Sequence, residues 1–239
     1  MHTSRQVLDQ IMQRANLHKV IAIGEIHGSK ENPEILLEVY SALSNEFSIL
    51  IGFEYPQAVI DNPDTVDGIL FQDGRFSENH QEMLKKLKQE GAQLFGFDLN
   101  EDELKEQKSH PIDWRDKIMA DNINKRLDRL KDGKRILIIT GDMHYQTKAQ
   151  SIVYPNENGE MKQMEYLPMG AQINTNSILA IHLRYLSGEF YNFKLRQMPK
   201  ITANKDLSFR QQDELIEIDI FKSNPTLINM NVAGSSIKQ

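Results

Sequence analysis

The chain contains no cysteine. Disulfides, thiolate metal sites and cysteine nucleophiles are thereby excluded, and a cytoplasmic protein is expected. It has no long basic run, and its 239 residues carry a formal net charge of -6. Nucleic-acid binding is not expected as a main role, because neutralising phosphates needs a basic surface. No stretch approaches the roughly 20 apolar residues of a membrane span. The opening "MHTSRQVLDQIMQRANLHK" is polar and amphipathic. It lacks the apolar run and small-residue cleavage site of a secretory signal, which leaves open only export by a route without one. There is no internal repeat of solenoid length and no low-complexity tract.

What is present is an ordinary globular composition, 39% hydrophobic and 26% charged, in a chain long enough for a substantial core. Four short apolar runs stand out: 19–24 "KVIAIG", 48–56 "SILIGFEYP", 92–100 "AQLFGFDLN" and 135–145 "RILIITGDMHY". Such runs suit strands buried on both faces. Between them lie amphipathic segments with helical spacing at 3–16, 33–47, 78–90 and 111–134. Pro33 opens the second, and Asp113 with Asp116 three residues on reads as an N-cap and capping box for the last. The alternation predicts a single α/β domain over 1–239, with a mostly parallel sheet covered by helices on both faces. From about residue 150 the texture becomes β-rich: a hairpin around Asn158-Gly159, a strand–turn–strand over 177–195 and an edge strand at 214–221. The tail 230–239 is expected to be loose.

Each buried strand runs into polar residues. Glu25 and His27 end the first, Glu54 the second, Asp98 the third, and Asp142 and His144 the fourth. In an open parallel sheet these ends share one edge, where ligands bind. In extended chain, residues i and i+2 face the same way, so Glu25 can point with His27 and Asp142 with His144. Gly24, Gly52, Gly96 and Gly141 lie one or two residues before the polar groups and permit tight bends or close approach. Taken alone, an Asp after a strand is a helix or turn cap, and a lone histidine is a structural hydrogen-bonding residue. The two Gly-x-x-His settings together argue instead for a shared site. Glu54, half-buried after "SILIGF", needs a partner or a purpose. Arg115, at the second position of a helix, opposes the helix dipole and is expected to be held by an acidic rim residue; Asp116 beside it counts, with Asp98 and Asp142, among those rim residues. His2, His18, His80, His110 and His182 have no such setting.

The set of "GEIH", "GDMH", Glu54 and "WRDKIMADNI" resembles the superfamily that joins the erythromycin esterases, the haem-binding ChaN-like lipoproteins and the TraB/Tiki proteins. The esterases open with Gly-Glu-x-x-His-Gly; "GEIHG" is one residue shorter and closer to the Tiki and ChaN form. Arg115, Asp116, Met119, Ala120 and Asn122 match the superfamily's helix motif, and "PMGAQI" around Gly170 its Met-Gly segment. The resemblance covers about residues 19–226 and implies an α/β fold with the site at the strand ends. It also implies three activities: esterases with a histidine base and no metal, Tiki-type metal-dependent proteases, and ChaN-type haem binders.

A hydrolase acting on a small molecule or peptide leads. In one version His27, His144, Glu25 and Glu54 bind Mn, Zn, Fe or Co, which activates water. In the other, His27 is a general base oriented by a carboxylate, while Arg115 and His144 stabilise the oxyanion. The alternative is a small-ligand or haem binder with Tyr55 and Tyr145 as haem ligands beside the histidines. A non-catalytic interaction protein is the third class.

Overall fold

The structure, a computed structural model, describes residues 3–64, 66, 68–107, 111–155, 160–198 and 207–226. The expected turn at Asn158-Gly159 and the tail 230–239 lie outside the described residues. In chain order the elements are α1 (Arg5–Ala15), β1 (Val20–Glu25), α2 (Glu31–Ser44), β2 (Ser48–Phe53), α3 (Gln57–Asp61), α4 (Gly68–Gln72), α5 (Glu78–Gln89), β3 (Gln93–Gly96), α6 (Glu101–Lys105), α7 (Pro111–Leu127) and β4 (Lys134–Gly141). There follow β5 (Gln150–Pro155), β6 (Met161–Tyr166), α8 (Met169–Gln172), β7 (Ile178–Tyr185), β8 (Glu189–Asn192), β9 (Lys194–Gln197) and β10 (Glu214–Ile220).

Six strands form one sheet in the order β10-β7-β1-β4-β2-β3, and every neighbouring pair is parallel. The apolar runs become its centre because both faces of each strand are covered. Alternate residues of β1 divide between the two sides: Ile21 and Ile23 pack with Ile35, Leu36 and Leu84 of α2 and α5, whereas Val20 and Ala22 pack with Met119, Ala120 and Ile123 of α7. The two-sided α/β arrangement is the one the alternation predicts.

β1 and β4 are hydrogen-bonded neighbours, with Gly24 opposite Thr140 and Glu25 opposite Gly141. From β1 the chain crosses towards β2 and β3; from β4 it crosses the other way, towards β7 and β10. The two connections leave in opposite directions, which opens a crevice at the carboxyl ends of this central pair.

Segment 177–195 is strand, turn, strand as expected: β7 joins the main sheet beside β1, and after the turn β8 pairs antiparallel with β9 as a separate hairpin. The apolar run "ILAI" at the start of β7 is buried at all four positions and is satisfied only inside the sheet. The edge strand at 214–221 is β10, as read, in parallel register with β7. Two expectations need correction. Helix α7 ends at Leu127 rather than near Lys134, and Gly133 takes φ 80° in the turn before β4. Asp116 is not a cap residue; it is fully buried and serves the site described below. β5 and β6 form the expected late hairpin. No helix among the described residues is long and apolar enough to cross a membrane.

Gly24 shows how tightly the sheet centre meets its cover. A Cβ there would lie 2.3 Å from Cε1 of Tyr145, a fully buried ring. Gly24→Ala is therefore expected to destabilise the fold by about 1–3 kcal/mol through overpacking, whereas the conservative Ile138→Val on adjacent β4 should cost about 0.5–1.5 kcal/mol. Urea denaturation of both variants checks the order.

Candidate active site at the carboxyl ends of β1, β2, β3 and β4

Glu54 is the first residue after β2 and the centre of the cluster. Its Oε2 accepts hydrogen bonds from Thr140 Oγ1 at 2.6 Å and from the Gly141 amide at 2.8 Å, which ties β2 to the end of β4. Its Oε1 accepts from Arg115 Nη2. The same Oε1 lies 3.7 Å from His27 Nε2 and 3.8 Å from His144 Nε2. Burial alone would raise the Glu54 pKa, but the charge of Arg115 above all, with the charge and hydrogen bond of His27, holds it well below the usual carboxylate range.

Each imidazole has its own carboxylate on Nδ1. His27 Nδ1 meets Glu25 Oε1 at 3.0 Å, the i, i+2 geometry expected of an extended strand end. His144 Nδ1 meets Asp116 Oδ1 at 2.6 Å. Asp116 Oδ2 also accepts from the Met169 amide at 2.7 Å and from Tyr166 OH, so the carboxylate is fixed from three sides. Arg115 Nη1 donates to His144 Nε2 at 3.4 Å. A guanidinium can only donate, so this contact suits the tautomer with the lone pair on Nε2 and the proton on Nδ1, facing Asp116.

His27 is in a different state. Burial lowers its pKa, but the charge of Glu54 and the hydrogen bond to Glu25 outweigh burial and push it up to about 10. Glu25 is itself raised by burial, with His27 opposing. Among the described residues, Glu25 Oε2 is buried without a hydrogen-bond partner. Glu25 helps line a cavity of about 10 Å³ together with His27, Glu54, Tyr55, Arg75 and His80, at the lower bound for one water molecule.

Asp98, after β3, accepts from Arg115 Nε and Nη2, both at 2.9 Å, and from Arg75 Nη1 at 2.7 Å. Arg75 is further held by Asp73, Nε to Oδ2 at 2.7 Å. Burial lowers the affinity of both guanidiniums for the proton, but the surrounding carboxylates, Glu54 foremost among them, raise it overall. Asp142 enters through its backbone, its amide donating to the Glu25 carbonyl at 3.0 Å.

The structure thus brings Glu25, His27, Glu54, Asp98, Arg115, Asp116 and His144 into one network. The hydroxyls of the two expected haem ligands lie outside this network, although the Tyr55 side chain helps line the cavity. Tyr55 OH donates to the Arg75 carbonyl at 2.7 Å, and Tyr145 OH contacts His182 Nδ1 at 2.9 Å; both rings are buried. With their hydroxyls engaged elsewhere, they do not fit an iron ligand role. The divalent-metal set does not fit either. Arg115 occupies the one Glu54 oxygen that faces both imidazoles, and a guanidinium there repels a cation. Among the described residues no three His, Asp or Glu side chains are grouped to hold a metal ion.

Arg75, Tyr166 and His80 escaped the sequence reading. His80 is buried, its Nδ1 at 2.8 Å from Ser77 Oγ, and burial lowers its pKa to about 3. The loop 57–80 carries no local signal for Arg75. Charge balance offers one: several buried carboxylates and a single arginine call for a second cation.

No family model and no curated protein matches the chain. Solved structures do. A mutant of the erythromycin esterase EreC in its open conformation matches with a TM-score of 0.56 at 13% identity, over 86% of this chain and 84% of that one. The chain therefore has a fold similar to that of an erythromycin esterase. RRSP, a MARTX toxin effector domain from Vibrio vulnificus CMCP6, matches with a TM-score of 0.42 at 15% identity, over 71% of this chain and 40% of that one. A structure described as a bacterial protein toxin gives 0.49 at 17% identity, over 83% and 39%. The chain spans about two fifths of the length of these toxin structures.

The raised His27 pKa has a consequence for stability. A group whose pKa rises on folding contributes fully below its unfolded value, ordinarily about 6.5, and loses that contribution as pH climbs through the folded value. His27 should therefore stabilise the fold most below about pH 6.5 and progressively less up to about pH 10. In denaturation series across that window, the difference between the native protein and His27→Gln should change along this course; an unchanged difference would refute the assignment.

Proposed function

We propose that the chain is a hydrolase of the kind found among proteins with the Gly-x-x-His pair, in which two imidazoles activate water and protonate the leaving group without a metal ion. One observation carries this reading: two Nε2 atoms converge on Glu54 Oε1, at 3.7 and 3.8 Å, while each Nδ1 is held by a separate carboxylate. The geometry supports a division of labour opposite to the one expected from sequence. His144, with Asp116 holding its Nδ1–H, offers a basic Nε2 and acts as general base. His27, kept protonated by Glu54 and Glu25, acts as electrophile and general acid.

In this scheme water attacks a carbonyl carbon of an ester, lactone or amide, and His144 Nε2 takes its proton. The developing oxyanion faces the His27 imidazolium. Collapse of the tetrahedral species expels the leaving group, which takes a proton from His27 Nε2. The His144 proton then replaces it through solvent. A Cβ at Gly141 would lie 3.0 Å from His27 Nε2 and 3.4 Å from His144 Cδ2. Glycine at that position leaves the floor between the rings clear for a substrate.

The test is turnover of a panel of p-nitrophenyl esters, a fluorogenic lactone and labelled peptides. Activity is expected to survive exhaustive chelation and to fall above about pH 10 as His27 loses its proton. His144→Ala and His27→Ala should each lower kcat by roughly 10²–10⁴-fold. Activity restored only by added divalent metal would overturn the metal-free scheme, and absence of turnover across the panel would overturn the hydrolase reading.

A further inference from the structure

We infer that Glu31 is a positioning residue: it fastens the C-terminal arm 223–226 to the loop that carries His27, and so holds that imidazole against Glu25 and Glu54. The inference rests on the reading of His27 as part of the active site.

Glu31 lies at the start of α2, four residues after His27, and is 4% exposed. Its Oε2 accepts from Ser29 Oγ at 2.7 Å and Ser223 Oγ at 3.4 Å; its Oε1 accepts from Asn224 Nδ2 at 2.7 Å. The Asn224 amide reaches both oxygens at 3.1 Å. These four donors are all neutral. Burial would raise the carboxyl's pKa, yet the bonds from Asn224 and Ser29 hold it below its usual value, so Glu31 is charged at neutral pH. A buried carboxylate met by neutral donors from two segments nearly two hundred residues apart is a fastening between them.

The arm grips the loop in return. The Thr226 amide donates to the Gly28 carbonyl at 2.9 Å, the Lys30 amide donates to the Asn224 carbonyl at 2.8 Å, and Ser29 and Pro225 form an antiparallel bridge. The Gly28 carbonyl also accepts from the Tyr191 amide at 3.1 Å, on β8. Gly28 takes φ 85°, and a Cβ there would fall 1.8 Å from the Tyr191 carbonyl oxygen. Gly74, next to Arg75, meets the same carbonyl, at 2.1 Å from its would-be Cβ. On the other side of His27, Asn32 Nδ2 donates to the Ile26 carbonyl at 2.9 Å, and Tyr185 OH donates to Asn32. His27 is thus suspended between two clamped peptides, and Glu31 closes the clamp on the Gly28 side. Small displacements of a catalytic group cost large factors in rate, so such a clamp acts on the site through His27.

Glu31→Gln is nearly isosteric, but its amide nitrogen faces donors and cannot accept. Asn224→Ala, at an exposed position, removes one donor with little threat to folding. Both are read first by NMR titration of the histidine rings, which needs no substrate. The expected result is a His27 midpoint lowered by a unit or more from about 10 in Glu31→Gln and by a smaller step in Asn224→Ala, with the His144 resonances unmoved. Where the ester panel is turned over, kcat should fall about tenfold or more in Glu31→Gln with KM within about twofold, and Glu31→Asp should recover part of the loss. A lowered thermal midpoint with unchanged His27 titration would overturn the inference and leave Glu31 a purely structural residue. If Glu31→Gln fails to fold, unchanged His27 titration in Asn224→Ala overturns it equally. Shifted titration in a protein without turnover would sustain the positioning role and reject only the hydrolase reading.

Discussion

The site depends on the pairing of Glu54 with Arg115. Glu54 arrives at the end of a buried strand with 3% exposure, and no single neighbour satisfies both of its oxygens. One is met by Thr140 and Gly141 on β4, the other by Arg115 on α7. Arg115 in turn needs more acceptors than Glu54 supplies, and it finds them on Asp98 and on His144 Nε2. The pair therefore joins the ends of β2, β3 and β4 across one helix. Breaking a buried pair by removing one partner leaves an uncompensated charge, at about 3–5 kcal/mol. Arrangement of the rim is thus bound up with stability of the fold.

Two successive residues of α7 reach different parts of this network. Neighbours on a helix point about 100° apart. That divergence sends Arg115 towards Glu54 and Asp98, and Asp116 towards His144, Tyr166 and the Met169 amide. The helix lies over the β1–β4 centre because Met119, Ala120 and Ile123 pack on that face of the sheet. The same packing that covers Val20 and Ala22 therefore also delivers both the cation that fixes Glu54 and the carboxylate that orients His144.

This explains which parts were legible in the sequence. The apolar runs ending at Glu25, Glu54, Asp98 and Gly141 report their own burial, because a strand covered on both faces has no polar side to show. Parallel alignment then brings their ends to one edge, so the two Gly-x-x-His segments meet once β1 and β4 are neighbours. Residues that act at a distance leave no such trace. Asp116 sits where a capping box would place an acid, and only its place in the Arg115–Asn122 motif assigns it to the rim; the partners it holds, Tyr166 and the Met169 amide, are set by tertiary structure. Arg75 comes from a loop whose sequence carries no period, and its position is set by Asp73 and Asp98 rather than by its neighbours in sequence. The aromatics Tyr55 and Tyr145 adjoin rim residues in sequence, but side chains alternate along extended chain, and their hydroxyls end beside Arg75 and His182.

The two histidines look equivalent in sequence, and their surroundings separate them. Each has a carboxylate on Nδ1 and Glu54 near Nε2. The difference lies in what stands between Nε2 and that shared charge. At His144 the Arg115 guanidinium donates into the ring nitrogen, a contact that an imidazolium cannot accept. At His27 the nearest charged groups are Glu25 and Glu54, and both favour the protonated ring. Two similar groups placed in such different surroundings at one edge are the arrangement that acid–base chemistry needs, because one can take a proton while the other gives one. A single arginine, placed asymmetrically between two imidazoles by its pairing with Glu54 and Asp98, is enough to break their equivalence.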